Sequence, residues 1–401
     1  MERDNKMQRC VKCGLPETQE TISYDREGIC SICRQHEVKH DVINWAERKR
    51  ELGVVVEKYR GKHDYDCIIP FSGGKDSTWT LYYLVKEYGI KPLVVRFDHG
   101  FLRPNLEENV KKVMRKLGVD FLTFTPNWKV VRKLMLQSLL EKGDFCWHCH
   151  TGIFSYPMWI AIEKRIPLIF WGEPSSEYAS YFNGIEVEEV DENRFNRMTN
   201  LGISADDMML RMGGEFDSRD FKPYSYPPVN RLREIGTRSV CLGSYIKWNP
   251  RNQSAIIEKE LGWTGDQVEN VPPEYRYEKI ECYMQGVRDY LKFIKRGFSR
   301  PSHLVAVDIR NGEKSSGEGK DLISEWEGRR PPSLNLFLNF VGLSEEEFNQ
   351  IAATHAVSPY DHDFSKTRIG LPLLDMDKWC ADGGLPRDEA LQQWKSFQDS
   401  Q

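Results

Sequence analysis

The sequence contains no apolar run close to the roughly 18 residues that a membrane-spanning helix needs, although hydrophobic residues make up 40% of its 401 positions. Residues 1–6 are polar and lack the apolar stretch of a secretory signal. Positive charge is not in excess, because 56 Lys and Arg residues stand against 60 Asp and Glu residues. These absences predict a cytoplasmic protein without a large nucleic-acid footprint.

Internal repeats and low-complexity tracts are also absent, and the middle of the chain instead alternates strand-like and helix-like segments. Predicted strands lie at 67–71, 92–97, 121–124, 167–171 and 239–248, and predicted helices separate the first four. This order predicts an α/β fold with a doubly wound, mostly parallel sheet. Such a sheet binds ligands beyond the carboxyl ends of its strands. Further helices are predicted at 252–261, 280–295 and 344–354.

Two paired cysteines mark the N-terminal segment. Cys10 and Cys13 form one C-x2-C pair, and Cys30 and Cys33 form a second one after 16 intervening residues. Ten cysteines in a cytoplasmic chain would stay reduced, so the pairs indicate a metal site rather than disulfides. Four thiolates suit a closed, structural Zn²⁺ site.

A glycine-rich turn follows the first predicted strand and opens a helix. It reads Ser72-Gly73-Gly74-Lys75-Asp76-Ser77, and residues 72–77 are called the glycine loop below. Adjacent glycines let the backbone N–H groups approach an anion, and the helix N-terminus reinforces that preference. Lys75 can supply positive charge, and Asp76 can hold Mg²⁺. The loop is not a Walker A motif, since G-x4-G-K-[ST] is missing.

The glycine loop resembles the pyrophosphate loop, S-G-G-x-D-S, of the ATP-pyrophosphatase superfamily. The resemblance implies ATP cleavage between the α- and β-phosphates. It implies ATP binding by Ser72, Gly73, Gly74, Asp76 and Ser77, with Phe97, Asp98 and Gly172 lining the nucleotide pocket. Lys75, Asp76, Glu173 and Glu177 are the catalytic candidates. For Asp98 and Glu173, capping of a turn or helix is the competing interpretation.

The order of features along the chain narrows the resemblance. These features are, in order, the paired cysteines, the glycine loop, Phe97-Asp98-His99-Gly100-Phe101-Leu102, a later Cys-x2-Cys, residues 242–248 and residues 308–312. With them the chain resembles the N-acetyl sugar amidotransferase family of lipopolysaccharide and flagellin-glycan biosynthesis. That family is thought to adenylylate a sugar's acetamido oxygen and to replace it with ammonia. His99 stands where the family has Asn, and Cys241 where it has an apolar or aromatic residue, so substrate choice can differ.

The resemblance also implies an organisation and a partner. We expect a zinc ribbon at 1–40, a linking helix at 41–62, an ATP-pyrophosphatase domain at 63–250 with an insertion near 182–226, and a mostly helical C-terminal region at 251–401. The chain contains no G-x-C-x-G nucleophile turn. A separate glutaminase subunit, similar to that of imidazole glycerol phosphate synthase, is therefore expected to supply ammonia. The substrate is expected to be a nucleotide-linked sugar, joined through UDP or CMP.

Several residues keep more than one interpretation. Cys146 and Cys149 can bind a second metal, take part in sulfur chemistry with Cys241, or cap a helix. Arg296, Arg300 and Arg310 can grip substrate or ATP phosphates, or form a solvated basic face. A tRNA thiolation enzyme is the competing enzymatic hypothesis, and a non-enzymatic nucleotide-binding scaffold is the third.

Overall fold

A computed structural model describes residues 7–181, 184–371 and 383–401 of the chain. The first six residues of the predicted ribbon, the first two of the predicted insertion and residues 372–382 of the predicted C-terminal region lie outside these ranges.

One sheet contains five parallel strands: β1 (Cys67–Pro70), β2 (Pro92–Phe97), β3 (Asp120–Phe124), β4 (Leu168–Trp171) and β5 (Arg238–Cys241). Their spatial order is β3-β2-β1-β4-β5. Every residue of β1, β2 and β4 is buried, which matches their predominantly apolar sequence, although β2 includes the buried Arg96. The structure confirms the predicted α/β fold, and the chain order reverses between β1 and β4.

Helices cover both faces of the sheet: α3 (Lys75–Tyr88), α4 (Pro104–Leu117), α5 (Trp128–Lys142) and α6 (Trp147–Lys164). Before them come α1 (Ser31–Val42) and α2 (Trp45–Tyr59). The linking helix predicted at 41–62 therefore corresponds to the end of α1, a short break and the separate helix α2. The Asn44 side chain accepts a hydrogen bond from Glu47 N at 3.2 Å and caps α2.

The predicted insertion contains short helices: α7 (Glu192–Arg194), α8 (Ala205–Arg211) and α9 (Ser218–Phe221), and α10 (Val229–Glu234) follows it. Its acidic stretch covers the open edge of β5, because Val190 N donates to Ser239 O at 2.9 Å. Glu188 is buried there, and its carboxylate accepts from Ser175 N at 2.9 Å and pairs with Arg194. At least one member of the acidic cluster, Glu188, therefore stabilises the local fold.

The C-terminal region is helical, as predicted, with a short parallel pair, β6 (Arg329–Arg330) and β7 (Arg368–Ile369). Its helices are α11 (Pro250–Leu261), α12 (Gln285–Arg296), α13 (Arg300–Asn311), α14 (Ser316–Trp326), α15 (Ser333–Val341), α16 (Glu345–Thr354) and α17 (Arg387–Ser400). Helices α12, α15 and α16 share a buried cluster with α5. None of the helices among the described residues is both long and apolar enough to cross a bilayer.

Two sequence expectations are wrong in detail. The strand expected at 239–248 stops at Cys241, because Leu242–Ser244 form a 3-10 turn. The helix expected from 280 starts only at Gln285. Just before it, Cys282 forms an antiparallel bridge with Leu102, and Tyr283 N donates to Phe101 O at 3.0 Å. These backbone contacts tie the start of the C-terminal region to the segment after β2.

Candidate functional site at the carboxyl edge of the sheet

The glycine loop leaves β1 at the point where the strand order reverses, next to β4. Gly73 has a φ of 90°, and a Cβ there would lie 2.8 Å from Val110 Cγ2. Both the backbone angle and the space therefore require glycine. This is where open α/β sheets bind their ligands.

Backbone donors of the loop converge on two hydroxyl groups. Ser77 Oγ accepts from Ser72 N and from Gly73 N, each at 3.2 Å. Ser72 Oγ accepts from Gly74 N at 3.2 Å and lies 3.2 Å from Ser77 Oγ. The N–H groups of Ser72, Gly73 and Gly74 thus donate to hydroxyl groups within the loop.

A carboxylate that no sequence motif predicts covers this loop. Ser72 Oγ donates to Glu281 Oε1 at 3.1 Å. A Cβ on Gly74 would overlap the same carboxylate. Glu281 belongs to the segment before α12, and Trp263 Nε1 from the same region donates to Gly73 O at 3.0 Å. The loop therefore holds one negative group in this structure.

Lys75 of the loop is buried and paired with carboxylates. Its Nζ is 2.8 Å from Asp76 Oδ2, 3.0 Å from Asp76 Oδ1 and 2.5 Å from Glu278 Oε1. Burial opposes the charge on Lys75, but the carboxylates of Asp76 and Glu278 outweigh it and hold the pKa of Lys75 well above its ordinary value. Glu278 is thus a second site residue without a sequence motif.

Gly172 and Glu173 approach the loop from β4, as expected. A Cβ on Gly172 would lie 3.0 Å from Thr80 Oγ1 and 3.2 Å from Asp76 O. Burial, and then the charge of Asp76, raise the pKa of Glu173 to about 8 despite the nearby Lys75. Glu173 is therefore protonated at neutral pH and can donate a hydrogen bond.

The residues expected from the end of β2 serve the local fold. The Phe97 ring is buried beside Phe124, Tyr156 and Tyr224, with centroids 5.8 to 6.4 Å away. Asp98 Oδ1 accepts from Gly100 N at 2.8 Å, and Asp98 Oδ2 accepts from Thr125 Oγ1 at 3.1 Å. The capping interpretation describes Asp98 in this structure.

Glu177 faces the ribbon helix instead of the loop. Its carboxylate pairs with the buried Lys39 of α1, and its carbonyl oxygen accepts from Arg310 Nη2 at 3.0 Å. Of the other predicted phosphate-binding arginines, Arg296 binds Thr18 O and Glu20 in the ribbon. Arg300 Nη2 lies 3.3 Å from Asp289 Oδ1.

The four ribbon cysteines converge into a cluster that could hold the predicted metal ion. Cys10, Cys13, Cys30 and Cys33 are buried, and their sulfur atoms all lie within 4.8 Å of one another. Backbone N–H groups support the sulfurs, with Cys30 N 3.3 Å from Cys10 Sγ. Four converging thiols fit a tetrahedral Zn²⁺ ion without an open position. The site packs against Phe298 and Ala306 near the start of the C-terminal helices.

The cysteine that packs near the second pair is Cys282 and not Cys241. Cys241 lies on β5, where Arg194 Nη1 is 3.4 Å from its sulfur. Cys282, rather than Cys241, packs in the same cluster as Cys146 and Cys149. Burial, followed by nearby negative groups, raises the pKa of both Cys146 and Cys149. Among the described residues, only the ribbon cysteines converge closely enough to hold a metal.

Two comparisons bear on this architecture. A curated relative, the uncharacterized protein MJ1599 of Methanocaldococcus jannaschii, is 30% identical over 119 residues. That match covers 28% of this chain and 42% of the relative, so the chain spans less than half of it.

Residues 274–373 match the family described as LPS biosynthesis protein WbpG-like, C-terminal domain. The matched segment includes Glu278 and Glu281, the two carboxylates that reach the glycine loop. This match confirms the resemblance to the N-acetyl sugar amidotransferase family of lipopolysaccharide biosynthesis.

Proposed function

We propose that the chain is an ATP-dependent amidotransferase that converts the N-acetyl group of a nucleotide-linked sugar into an acetamidino group. The observation that carries the proposal is the glycine loop at the carboxyl end of β1, where backbone N–H groups cluster on the hydroxyls of Ser72 and Ser77 and Ser72 Oγ contacts the carboxylate of Glu281. Such a loop suits the pyrophosphate of ATP. The match of residues 274–373 supports a role in lipopolysaccharide biosynthesis.

In the proposed reaction the acetamido oxygen attacks the α-phosphorus of ATP, and pyrophosphate leaves. Ammonia then adds to the imidate carbon, and AMP departs with the former acetamido oxygen. The product is an amidine, which carries a proton at neutral pH. Catalysis of this kind depends on positioning and on stabilising the charge that develops on the phosphates.

The chain's own residues divide this work. Ser72 and Ser77 present hydroxyl groups to the anion, and Lys75 supplies the cation beside them. Asp76 is the candidate Mg²⁺ ligand, although Lys75 holds both of its oxygens in this structure. Mg²⁺ would neutralise phosphate charge when bound. Protonated Glu173 is placed to donate a hydrogen bond beside the loop, and Glu177 stays a proposed catalytic residue.

Ammonia is proposed to come from a separate glutaminase subunit. The full chain should form the amidine with ammonium salts alone, and it should use glutamine only when that partner is added. Full glutamine-dependent activity by the purified chain would contradict this part of the proposal.

The test uses the purified full chain with ATP, Mg²⁺, ammonium and a panel of UDP- and CMP-linked N-acetyl sugars. We expect release of AMP and pyrophosphate with one of these sugars, and a product lighter by the difference between O and NH. Asp76→Asn should abolish this release. Asp64→Asn is the matched control, because Asp64 is exposed. Absence of AMP release with every sugar would overturn the proposal.

One observation favours a second candidate, a tRNA thiolation enzyme. Cys146, Cys149 and Cys282 pack in one cluster next to the segment that reaches the glycine loop. However, burial keeps these thiols protonated, and a protonated thiol is a poor nucleophile and metal ligand. AMP release that requires tRNA and is lost in Cys149→Ser would favour this candidate over the amidotransferase.

A further inference from the structure

A cavity of about 400 Å³ lies outside the glycine loop, between three parts of the chain. His36 and His40 line it from α1, Lys247 and Trp248 from the segment after β5, and Arg310 from the end of α13. This volume is within the usual range for small-molecule sites. The ribbon, the α/β domain and the C-terminal region thus enclose one space.

Arg310 is buried at this cavity without a counterion. Only 7% of its surface is exposed, and its Nη2 donates to an uncharged group, the carbonyl oxygen of Glu177, at 3.0 Å. Within the described ranges no carboxylate forms an ion pair with it. A buried guanidinium that lacks a carboxylate is costly, so the position favours an anion that is not part of the chain.

Two buried donors at the cavity are also without acceptors. Trp248 is 5% exposed, and its Nε1 has no hydrogen-bond partner among the described residues; the same is true of Arg310 Nη1. A buried donor that loses its water without gaining an acceptor destabilises the folded state. Both atoms are covered in this structure, so a ligand rich in acceptor oxygens reaches them only when the side chains of Trp248 and Arg310 rotate.

The remaining charges around the cavity leave a positive balance. Glu37 is already neutralised, since its oxygens lie 2.7 Å from Lys12 Nζ and 3.0 Å from Arg34 Nη1. Lys247 is exposed and pairs with no carboxylate in the part of the chain that the structure describes. Asp41 is the remaining acidic group of the lining.

The imidazoles add hydrogen-bonding groups rather than charge. His36 Nε2 lies 3.1 Å from His40 Nε2 and 3.2 Å from Asn311 Oδ1. Burial, and then the neighbouring His40 and Arg310, lower the pKa of His36 to about 4. His36 is therefore neutral at pH 7, and an anion placed beside it would raise its pKa.

We propose that this cavity binds a phosphate-bearing small molecule, with Arg310, Lys247 and Trp248 as its principal donors. These residues together offer more N–H donors than the two oxygens of a carboxylate can accept from directly, and a phosphate presents three free oxygens. The phosphate can belong to a nucleotide-linked sugar or to a free phosphate ester. The site stands independently of the proposed chemistry at the glycine loop.

The test is calorimetric titration of the full chain with inorganic phosphate, glucose 1-phosphate and a UDP-linked N-acetyl sugar. Lys247→Glu should weaken binding at least tenfold, and Arg310→Met should do the same. Lys259→Glu is the matched control, because Lys259 lies on α11 outside this lining and its side chain is 83% exposed. Lys247→Glu keeps the test valid even if Arg310→Met fails to fold, since Lys247 is exposed.

A local readout separates this site from the glycine loop. Phosphate should shift the Trp248 indole N–H resonance and raise the pKa of His36 in the wild type, and it should still do so in Gly73→Ala. Competition between glucose 1-phosphate and the UDP-linked sugar would identify the substrate's own phosphate as the ligand. Independent binding would identify a separate phosphate ester.

The proposal is overturned if phosphate leaves the Trp248 and His36 signals unchanged. It is also overturned if binding is lost in Gly73→Ala but retained in Lys247→Glu. Failure of AMP release with intact phosphate binding would contradict the proposed reaction and leave the cavity site standing.

Discussion

Glu281 accepts a hydrogen bond from the hydroxyl of Ser72 at 3.1 Å, although 209 positions separate the two residues in the chain. The carboxylate therefore lies beside the glycine loop, where we propose that the pyrophosphate of ATP binds. A phosphate group entering that position must displace it or be repelled by it.

We accordingly expect Glu281→Gln to bind pyrophosphate more tightly. Removing the negative charge should strengthen binding by about tenfold, or ~1.4 kcal/mol, as measured by calorimetry without Mg²⁺. Glu325→Gln, an exposed change on α14, serves as the control. Weaker binding by Glu281→Gln would instead indicate that this carboxylate helps to hold the nucleotide.

Gly73→Ala should abolish catalysis at the glycine loop in addition to destabilising the backbone there. Gly89→Ala is the matched control, since Gly89 has a φ of 62° and no atom lies within 4 Å of the position that a Cβ would take. In both variants the left-handed backbone alone should cost about 1–2 kcal/mol of unfolding free energy in urea. Only Gly73→Ala adds an overlap with Val110 and Leu106, so it alone should abolish pyrophosphate release. Equal activity in the two variants would contradict this.

Stability should depend on pH through Glu173. Its folded pKa of about 8 lies above the ordinary value of 4.5, so the folded state retains a proton that the unfolded state loses. This contribution is complete below pH 4.5 and disappears as the pH rises through 8. The unfolding free energy should fall by about 2 kcal/mol or more over this range, and Glu173→Gln should lessen that fall. A parallel decline in both proteins would exclude Glu173 as the cause.

The purified chain should contain one Zn²⁺ ion. Cys33→Ser should lose the metal and lower the melting temperature, because the four sulfurs pack against Phe298 and Ala306. Cys146→Ser should retain it. Elemental analysis with thermal unfolding measures both, and two zinc ions per chain, one of them lost in Cys146→Ser, would restore the second metal site predicted from the sequence.

Much of the α/β domain was predictable from sequence, because each strand or helix is marked by an apolar pattern and turn residues within one short stretch of chain. Strand β2 matches its expected range, and β3 and β4 each differ by one residue. Their apolar runs end at turn residues within the same stretch of chain. The strand expected at 239–248 was too long, since its apolar residues continue into a buried 3-10 turn that has the same composition.

The other half of the site was not predictable, because long-range packing creates it. Glu278 and Glu281 sit in no motif, and nothing in the local sequence shows that Lys75 and Ser72 are their partners. Similarly, Cys241 and Cys282 look equivalent as third cysteines, and only the fold brings Cys282 to the pair. Asp98 belongs to the motif, yet both of its carboxylate oxygens accept hydrogen bonds from neighbouring loop residues, Gly100 and Thr125. A residue of a nucleotide-binding motif can therefore stabilise its own turn.

The cavity lined by His36 of the ribbon helix and Arg310 of α13 also has a thermodynamic consequence. Helix α1 begins among the four ribbon cysteines, with Cys30 at its N-cap. If metal binding orders α1, then metal and cavity ligand must strengthen each other by the same factor. The chain would then bind zinc more tightly when the cavity ligand is present than when it is absent.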